Sequence, residues 1–365
     1  MTGPAPAPAP ARRPTTGFAP AAPRPPARGL VIQTAFPGDV ILTTPLIRRA
    51  AERLETLVDV VVIPGAAAAL ENNPHVRDVI VFDKKGKDGG LGGLWRMVRL
   101  VRENRYEVSY HAQASTRSAL LAFLAGIPRR IGFRDAPAAR LYTHAVASRG
   151  EPHQVERLLQ LADGAPDRRE PEIFPGAAER AEVDALLRET GITGEFVAIA
   201  PGAHWATKRW PYFPELARAL APEIPLALVG GPGDRADARA IRNALGRGTP
   251  VADAVGQLSL LASGELIRRA RLLVTNDSAP VHLASAVGTT TLEIYGPTAP
   301  IFGFAARAAW SRIVEPDPLP CRPCHHHGPT VCPLVHHKCM REIPITRVLS
   351  EIRTMLQLLR TPGGL

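Results

Sequence analysis

Residues 274–298, VTNDSAPVHLASAVGTTTLEIYGPT, restrict the fold of this chain more than any other stretch. The apolar run that leads into them, at 272–274, is typical of a buried parallel strand. A polar turn follows, then a helix of small residues, and then a second apolar run at 291–295. This order of strand, turn, helix and strand indicates half of a doubly wound α/β layer. Because ligands in such sheets bind at the carboxyl ends of strands and beside helix N-termini, the turn is a candidate phosphate site.

The same alternation of strands and helices runs through both halves of the chain. Each half has a turn rich in Pro and Gly after its first strand, PGD at 37–39 and PGA at 201–203. After the first of these turns, Thr44 and Pro45 resemble the N-cap and first position of a helix. We therefore predict an α/β protein of two similar domains with a cleft between them.

Composition and length suggest where these domains begin and end. A chain of 365 residues is longer than most domains that fold around a single hydrophobic core. The first 28 residues are mostly Ala, Pro, Thr and Arg without an acidic group, which predicts a disordered tail. The predicted units are a tail at 1–28, a first domain at 29–163, a linker at 164–176, a second domain at 177–345, and a C-terminal helix and tail at 346–365.

The basic character of the chain limits the classes of partner that we expect it to bind. The net charge is +10, which favours either a solvated basic surface or an anionic partner. Nucleic acid is not expected, because no basic stretch interleaved with aromatic residues is present. No apolar run approaches the roughly 20 residues that span a bilayer, and no hydrophobic region follows Arg12 and Arg13 as in an export signal. We therefore expect a cytoplasmic protein.

Several charged residues follow predicted strands and could act on a phosphorylated ligand. Asp39 could accept a proton as a general base, although it could also only cap the turn. The neighbouring helix N-terminus is expected to lower its pKa. Lys208 could neutralise diphosphate oxygens or lie in solvent. Asp277 could bind a ligand or act as an N-cap, and His282 could face the same side as the turn or be a satisfied buried histidine.

Four segments carry a family resemblance: PGDVILTTPLIRR at 37–49, SALLAFLAGIPRRIGF at 118–133, PGAHWATKRWP at 201–211 and TNDSAPVHLASA at 275–286. In this order they resemble the bacterial lipopolysaccharide heptosyltransferases of glycosyltransferase family 9, especially the heptosyltransferase II branch. The resemblance implies a GT-B fold, two Rossmann-like domains with the active site between them. It also implies inverting transfer of heptose from ADP-heptose to the inner core on lipid A, without a cofactor for the chemistry.

The resemblance also implies roles for single residues. Asp39 is expected to be the catalytic base, and Lys208 to stabilise the departing diphosphate. Ala279 departs from the family, which commonly has Gly there, and this bears on donor preference. Donor contacts are expected from Ala203, His204, Lys208, Asp277, Ser278, Ala279 and His282. Acceptor contacts are expected from Arg117, Arg130 and Arg134, unless these form a solvated basic face.

All four cysteines lie in one segment that also holds five histidines, at Cys321, Cys324, Cys332 and Cys339. Their spacing suits a structural zinc site, although only the first pair has the tight C-x2-C spacing. A loop of reduced thiols is the alternative, and disulfides are not expected in the cytoplasm.

Two other functions fit the same features. One is a different GT-B enzyme, such as a transferase for another nucleotide sugar or a nucleotide-sugar epimerase. The other is a non-catalytic protein that binds a sugar or a nucleotide. The implied acceptor is an anionic lipid, so peripheral contact with the inner membrane is also expected.

Overall fold

The computed structural model describes residue 3 and residues 27–150, 153–163, 169–246, 248–308 and 310–361. Nearly all of the predicted tail at 1–28 lies outside these residues, as does 164–168 of the predicted linker. The described part of the chain forms two six-stranded sheets. Within it, no helix has both the length and the apolar character that crossing a membrane requires.

The first sheet is parallel and has the order β3-β2-β1-β4-β5-β6. Its chain order reverses between β1 and β4, where ligands bind in doubly wound sheets. The strands are β1 (Gly29–Ile32), β2 (Val58–Val62), β3 (Val76–Val81), β4 (Val108–His111), β5 (Arg129–Phe133) and β6 (His144–Val146). The helices are α1 (Pro37–Leu54), α2 (Gly90–Glu103), α3 (Thr116–Leu124) and α4 (Gln154–Leu159).

The second sheet is also parallel and has the order β12-β11-β10-β7-β8-β9, the same topology as the first. Its reversal lies between β7 and β10. The strands are β7 (Val197–Ala200), β8 (Leu226–Leu228), β9 (Val251–Asp253), β10 (Leu272–Asn276), β11 (Thr291–Ile294) and β12 (Ser311–Val314). The helices are α5 (Ala177–Glu189), α6 (Phe213–Leu220), α7 (Arg235–Ala244), α8 (Leu260–Arg269), α9 (Ala279–Val287), α10 (Lys338–Arg341) and α11 (Ile345–Arg360). The prediction of two Rossmann-like domains is confirmed.

Helix α1 begins at Pro37 and runs through Pro45, so the predicted start at Thr44 was wrong. A proline inside a helix leaves the carbonyl four residues earlier without its amide donor. Here the Thr44 hydroxyl donates to that carbonyl, on Ile41, at 2.7 Å. The same hydroxyl accepts the amide of Glu172 at 2.8 Å. Thr44 thus supports the helix past the proline, and Asp39 lies in the first helical turn.

The two domains share buried surface instead of only facing each other. A continuous cluster of buried apolar residues includes Val31 and Val60 of the first domain and Ala198 and Leu273 of the second. Helix α1 contacts α9 directly across this seam. The C-terminal helix α11 packs on α6 of the second domain, as its apolar spacing predicted.

Candidate functional site

A cleft of about 920 Å³ lies between the domains and is bordered by the reversal point of each sheet. In the sheet registers, Ile32 of β1 lies opposite His111 of β4, and Thr275 of β10 lies opposite Ala200 of β7. The turns after these strands therefore open on one edge of each sheet, where ligands bind. They contribute residues 36–39, 112–114, 202–204 and 277–279 to the lining.

Every residue predicted to be catalytic or to bind the donor lines this cleft. The sequence places these residues in both halves of the chain, more than 240 positions apart at the extremes. The structure brings together Asp39, Ala203, His204, Lys208, Asp277, Ser278, Ala279 and His282.

Asp39 lies half-buried in the first turn of α1. Its Oδ2 accepts the amide of Phe36 at 3.2 Å, so it does cap the turn. Burial nevertheless raises the pKa of Asp39, and this effect outweighs the hydrogen bonds from backbone amides. The expected lowering of its pKa by the helix N-terminus was therefore wrong. A carboxylate with a raised pKa is a stronger base.

Asp277 holds the ammonium group of Lys208 inside the cleft. Lys208 Nζ lies 2.6 Å from Asp277 Oδ2 and donates to the Asp277 backbone carbonyl at 3.1 Å. The Thr298 hydroxyl donates to the same Oδ2 at 2.6 Å. The N-cap of α9 is Ser278, so Asp277 does not act as a plain N-cap. The result is a largely buried cation beside a helix N-terminus, an arrangement that suits an anionic ligand.

His282 lies at the seam between the domains. Burial lowers its pKa to about 4, so its imidazole is neutral at physiological pH. Among the described residues its Nδ1 has no hydrogen-bond partner. Its ring lies against Gly38, where an added Cβ would come within 2.7 Å of the His282 Cδ2. Buried polar atoms usually have a hydrogen-bond partner, so this unpaired nitrogen beside the cleft marks His282 as a candidate for a functional role.

Asn276 is a buried residue of the site to which the sequence analysis assigned no role. Its Nδ2 donates to the carbonyl of Pro201 at 2.7 Å, and its Oδ1 accepts the amide of Trp210 at 3.1 Å. The Ser278 hydroxyl donates to the carbonyl of Gly202 at 3.3 Å. These bonds fix the 201–203 turn against the 277–279 turn. The only sequence signal was the position of Asn276 in the polar turn that follows the predicted strand at 272–274.

The predicted acceptor arginines are not among the described residues that line the cleft. Arg117 donates to two backbone carbonyls at 2.7 and 2.8 Å and lies 5.2 Å from the Phe82 ring centre. Arg130 donates to the carbonyl of Leu141 at 2.7 Å. Arg134 is exposed. Arg117 and Arg130 thus hold loops in place, and the acceptor role of all three stays a prediction.

The four cysteines are free thiols in different environments. Cys339 is packed in the second core, where burial raises its pKa to about 11, whereas Cys324 is exposed. In the described ranges no group of three or more His, Cys, Asp or Glu side chains is placed to hold a metal ion. Both a structural zinc site and a loop of reduced thiols therefore stay predictions.

Comparison with known proteins agrees with this architecture. Lipopolysaccharide heptosyltransferase 2 of Escherichia coli (strain K12) is 28% identical over 291 residues, which cover 75% of this chain and 84% of that protein. Lipopolysaccharide heptosyltransferase 1 of Pseudomonas aeruginosa is 29% identical over 312 residues, which cover 81% of this chain and 86% of that protein.

A solved structure and a family model complete the comparison. The structure of the E. coli ADP-heptose lipopolysaccharide heptosyltransferase II matches with a TM-score of 0.75 at 24% identity. The match covers 92% of this chain and 100% of that one, and it confirms the GT-B fold. The model of glycosyltransferase family 9 (heptosyltransferase) matches residues 94–330, more than half of the chain. The protein therefore belongs to glycosyltransferase family 9, the heptosyltransferase family.

Proposed function

We propose that this protein is an inverting glycosyltransferase that moves heptose from ADP-heptose to the inner core of lipopolysaccharide. The observation that carries the proposal is the composition of the cleft. A carboxylate with a raised pKa, Asp39, and a held cation, Lys208, come from different domains and line one cavity. Family membership and the names of the relatives supply the substrate class.

The residues suit a single displacement. An acceptor hydroxyl attacks the anomeric carbon of heptose while Asp39 takes its proton, as a general base must. The bond between that carbon and the phosphate oxygen breaks, and ADP leaves with the electron pair. Lys208 and the first amides of α9 stabilise the negative charge that develops on the diphosphate. Attack from the face opposite the leaving group inverts the anomeric centre.

The second domain supplies the donor contacts in this proposal. Ser278, Asp277 and the neutral His282 offer hydrogen bonds to the donor. Ala203 and Ala279 present small side chains where a ligand approaches the backbone. The ring of His204 lies 5.0 Å from that of Phe36 in the first domain and so bridges the cleft. We assign the base to a domain at 29–163 and the donor site to a domain at 177–345.

We further propose that the lipid acceptor reaches the first domain at the inner membrane, from the cytoplasmic side. The outer face of α2 exposes Leu91 and Trp95, which are 77% and 56% accessible, next to Arg99. Phe123 of α3 is also exposed. Exposed apolar side chains among arginines suit the surface of an anionic bilayer. Arg134 is the predicted acceptor arginine whose side chain is most open to solvent.

A structural zinc ion at the four cysteines stays a prediction with little support. Binding would require thiolates, and a bound zinc ion itself favours deprotonation of the thiols that coordinate it. Metal analysis of the purified protein decides the matter. One zinc per chain would support the site, and a metal-free protein with full activity would refute it.

A donor screen tests the proposed function. The purified enzyme is incubated with a lipopolysaccharide core acceptor and with ADP-heptose, UDP-sugars or GDP-sugars in turn. We expect transfer from ADP-heptose. Transfer from another nucleotide sugar would identify a different transferase, and conversion of a donor without acceptor would identify an epimerase. Binding without turnover would identify a binding protein. Absence of transfer from ADP-heptose refutes the proposal.

A further inference from the structure

The segment rich in Cys and His, residues 321–339, is close to the cleft, and we call it the strap. Its first part is tied to the loop that follows β11. The amide of Cys324 donates to the carbonyl of Pro297 at 3.0 Å, and Arg322 Nη2 donates to the carbonyl of Thr298 at 3.0 Å. Thr298 is the residue whose hydroxyl binds Asp277. The strap is therefore attached to the donor half of the site.

The later part of the strap is tied to the residues around Lys208. The hydroxyl of Thr207 donates to the carbonyl of Pro329, and the Thr207 carbonyl accepts His337 Nε2 at 2.7 Å. Gly328 lies directly against the Lys208 side chain, since an added Cβ would be 3.2 Å from its Cγ and Cε. Gly328 also has a φ of +88°, which favours glycine. These contacts help to set where the Lys208 ammonium lies.

Two histidines of the strap, His326 and His327, line the cleft. The His326 ring lies 4.3 Å from that of Phe302, and the two histidine rings are 5.0 Å apart. Burial and the nearby positive charge of Lys208 contribute to lowering the pKa of His327. His327 is thus near enough to Lys208 to feel its positive charge, and Lys208 is the cation that we assign to the diphosphate. The His327 side chain is exposed and remains accessible to a ligand.

We propose that the strap is a third wall of the donor site and that His327 contacts the second phosphate of the nucleotide sugar, the one that carries the sugar. This inference rests on the proposed function. An imidazole N–H donates to a phosphate oxygen in either protonation state, and it becomes a charge-assisted donor once the ring takes up a proton. Lys208 is already shared with Asp277, so a second donor beside it complements the two negative phosphates. The strap thereby gains a role that needs no metal ion.

The test compares His327→Ala with His336→Ala, a matched change at a partly exposed histidine of the strap that does not line the cleft. Affinities for ADP and AMP are measured by calorimetry on the full chain. Loss of one hydrogen bond to a charged group should weaken ADP binding by about 10- to 100-fold. AMP binding should stay unchanged, as should ADP binding by His336→Ala. His327→Asn, which keeps an N–H donor, should recover part of the loss.

The outcomes separate this inference from the proposed function. If the wild-type protein does not bind ADP, both are overturned. If the wild type binds ADP and His327→Ala binds it equally well, only the inference is overturned. An equal loss for ADP and AMP would also overturn it, because the effect would then not involve the second phosphate. Melting temperatures of all variants are measured alongside, and we expect them to match the wild type.

Discussion

Replacing Gly38 by alanine should misalign the two halves of the site without unfolding the protein. Gly38 directly precedes Asp39 in α1 and lies against His282 of α9. The added Cβ would lie 2.7 Å from His282 Cδ2 and 3.8 Å from the Cα of Ala279. Carbon atoms in good contact are about 3.5–4.0 Å apart. The histidine ring or the start of α1 must therefore move by about 1 Å.

The size of the effect follows from this displacement. A shift of about 1 Å between reacting groups can lower the rate on the order of 100-fold. At about 1.36 kcal/mol for each factor of ten, this corresponds to about 2.7 kcal/mol of transition-state stabilisation. His282 has little room to move away, because the residue is only 7% exposed. Alanine is a better helix former than glycine, so global stability should change little.

The assay follows ADP release from ADP-heptose in the presence of the core acceptor. Gly65→Ala is the matched control, because Gly65 also lines the cleft but an added Cβ there would meet nothing within 4 Å. The double variant Gly38→Ala/His282→Ala should be no slower than His282→Ala, since the second change removes the clash. A Gly38→Ala enzyme with a kcat within about two-fold of the wild type would refute the reasoning.

The remaining predictions concern the base Asp39 and two ion pairs of helix α1. Asp39→Asn should lower kcat by about 10²- to 10⁴-fold with ADP binding retained, and normal turnover would contradict the assignment. Because burial raises the pKa of Asp39, the wild-type kcat/KM should fall on acidification at a higher pH than an ordinary aspartate would give. Glu172→Ala should destabilise the fold by about 1.5–3 kcal/mol in urea unfolding, since it removes one charged hydrogen-bond partner of the buried Arg48. Glu52→Ala, which breaks an exposed pair with Arg49, should cost less than about 1 kcal/mol.

The sequence predicted well those strands and helices that have a clear apolar periodicity and are bounded by turn residues. The strand, turn and helix around Asp277 were found because apolar periodicity and turn residues act over a few neighbouring positions. Strands β5, β6, β9 and β12 were not predicted. In β5, Arg130 was expected to contact the acceptor or to belong to a solvated basic face, and the structure places it in a strand that pairs between β4 and β6. A short strand near a sheet edge is stabilised by its neighbours, which a sequence window does not contain.

The sequence by itself determined the fold class, the family, and the predicted catalytic and donor-binding residues that line the cleft. These depend on residue types at fixed spacing, which are local properties of the chain. Only the tertiary structure decided that α1 continues through Pro45, that burial raises the pKa of Asp39, and that Gly38 meets His282. It also placed the strap beside Lys208. Each of these depends on desolvation or contact between residues distant in sequence, and such terms arise only once the chain has folded.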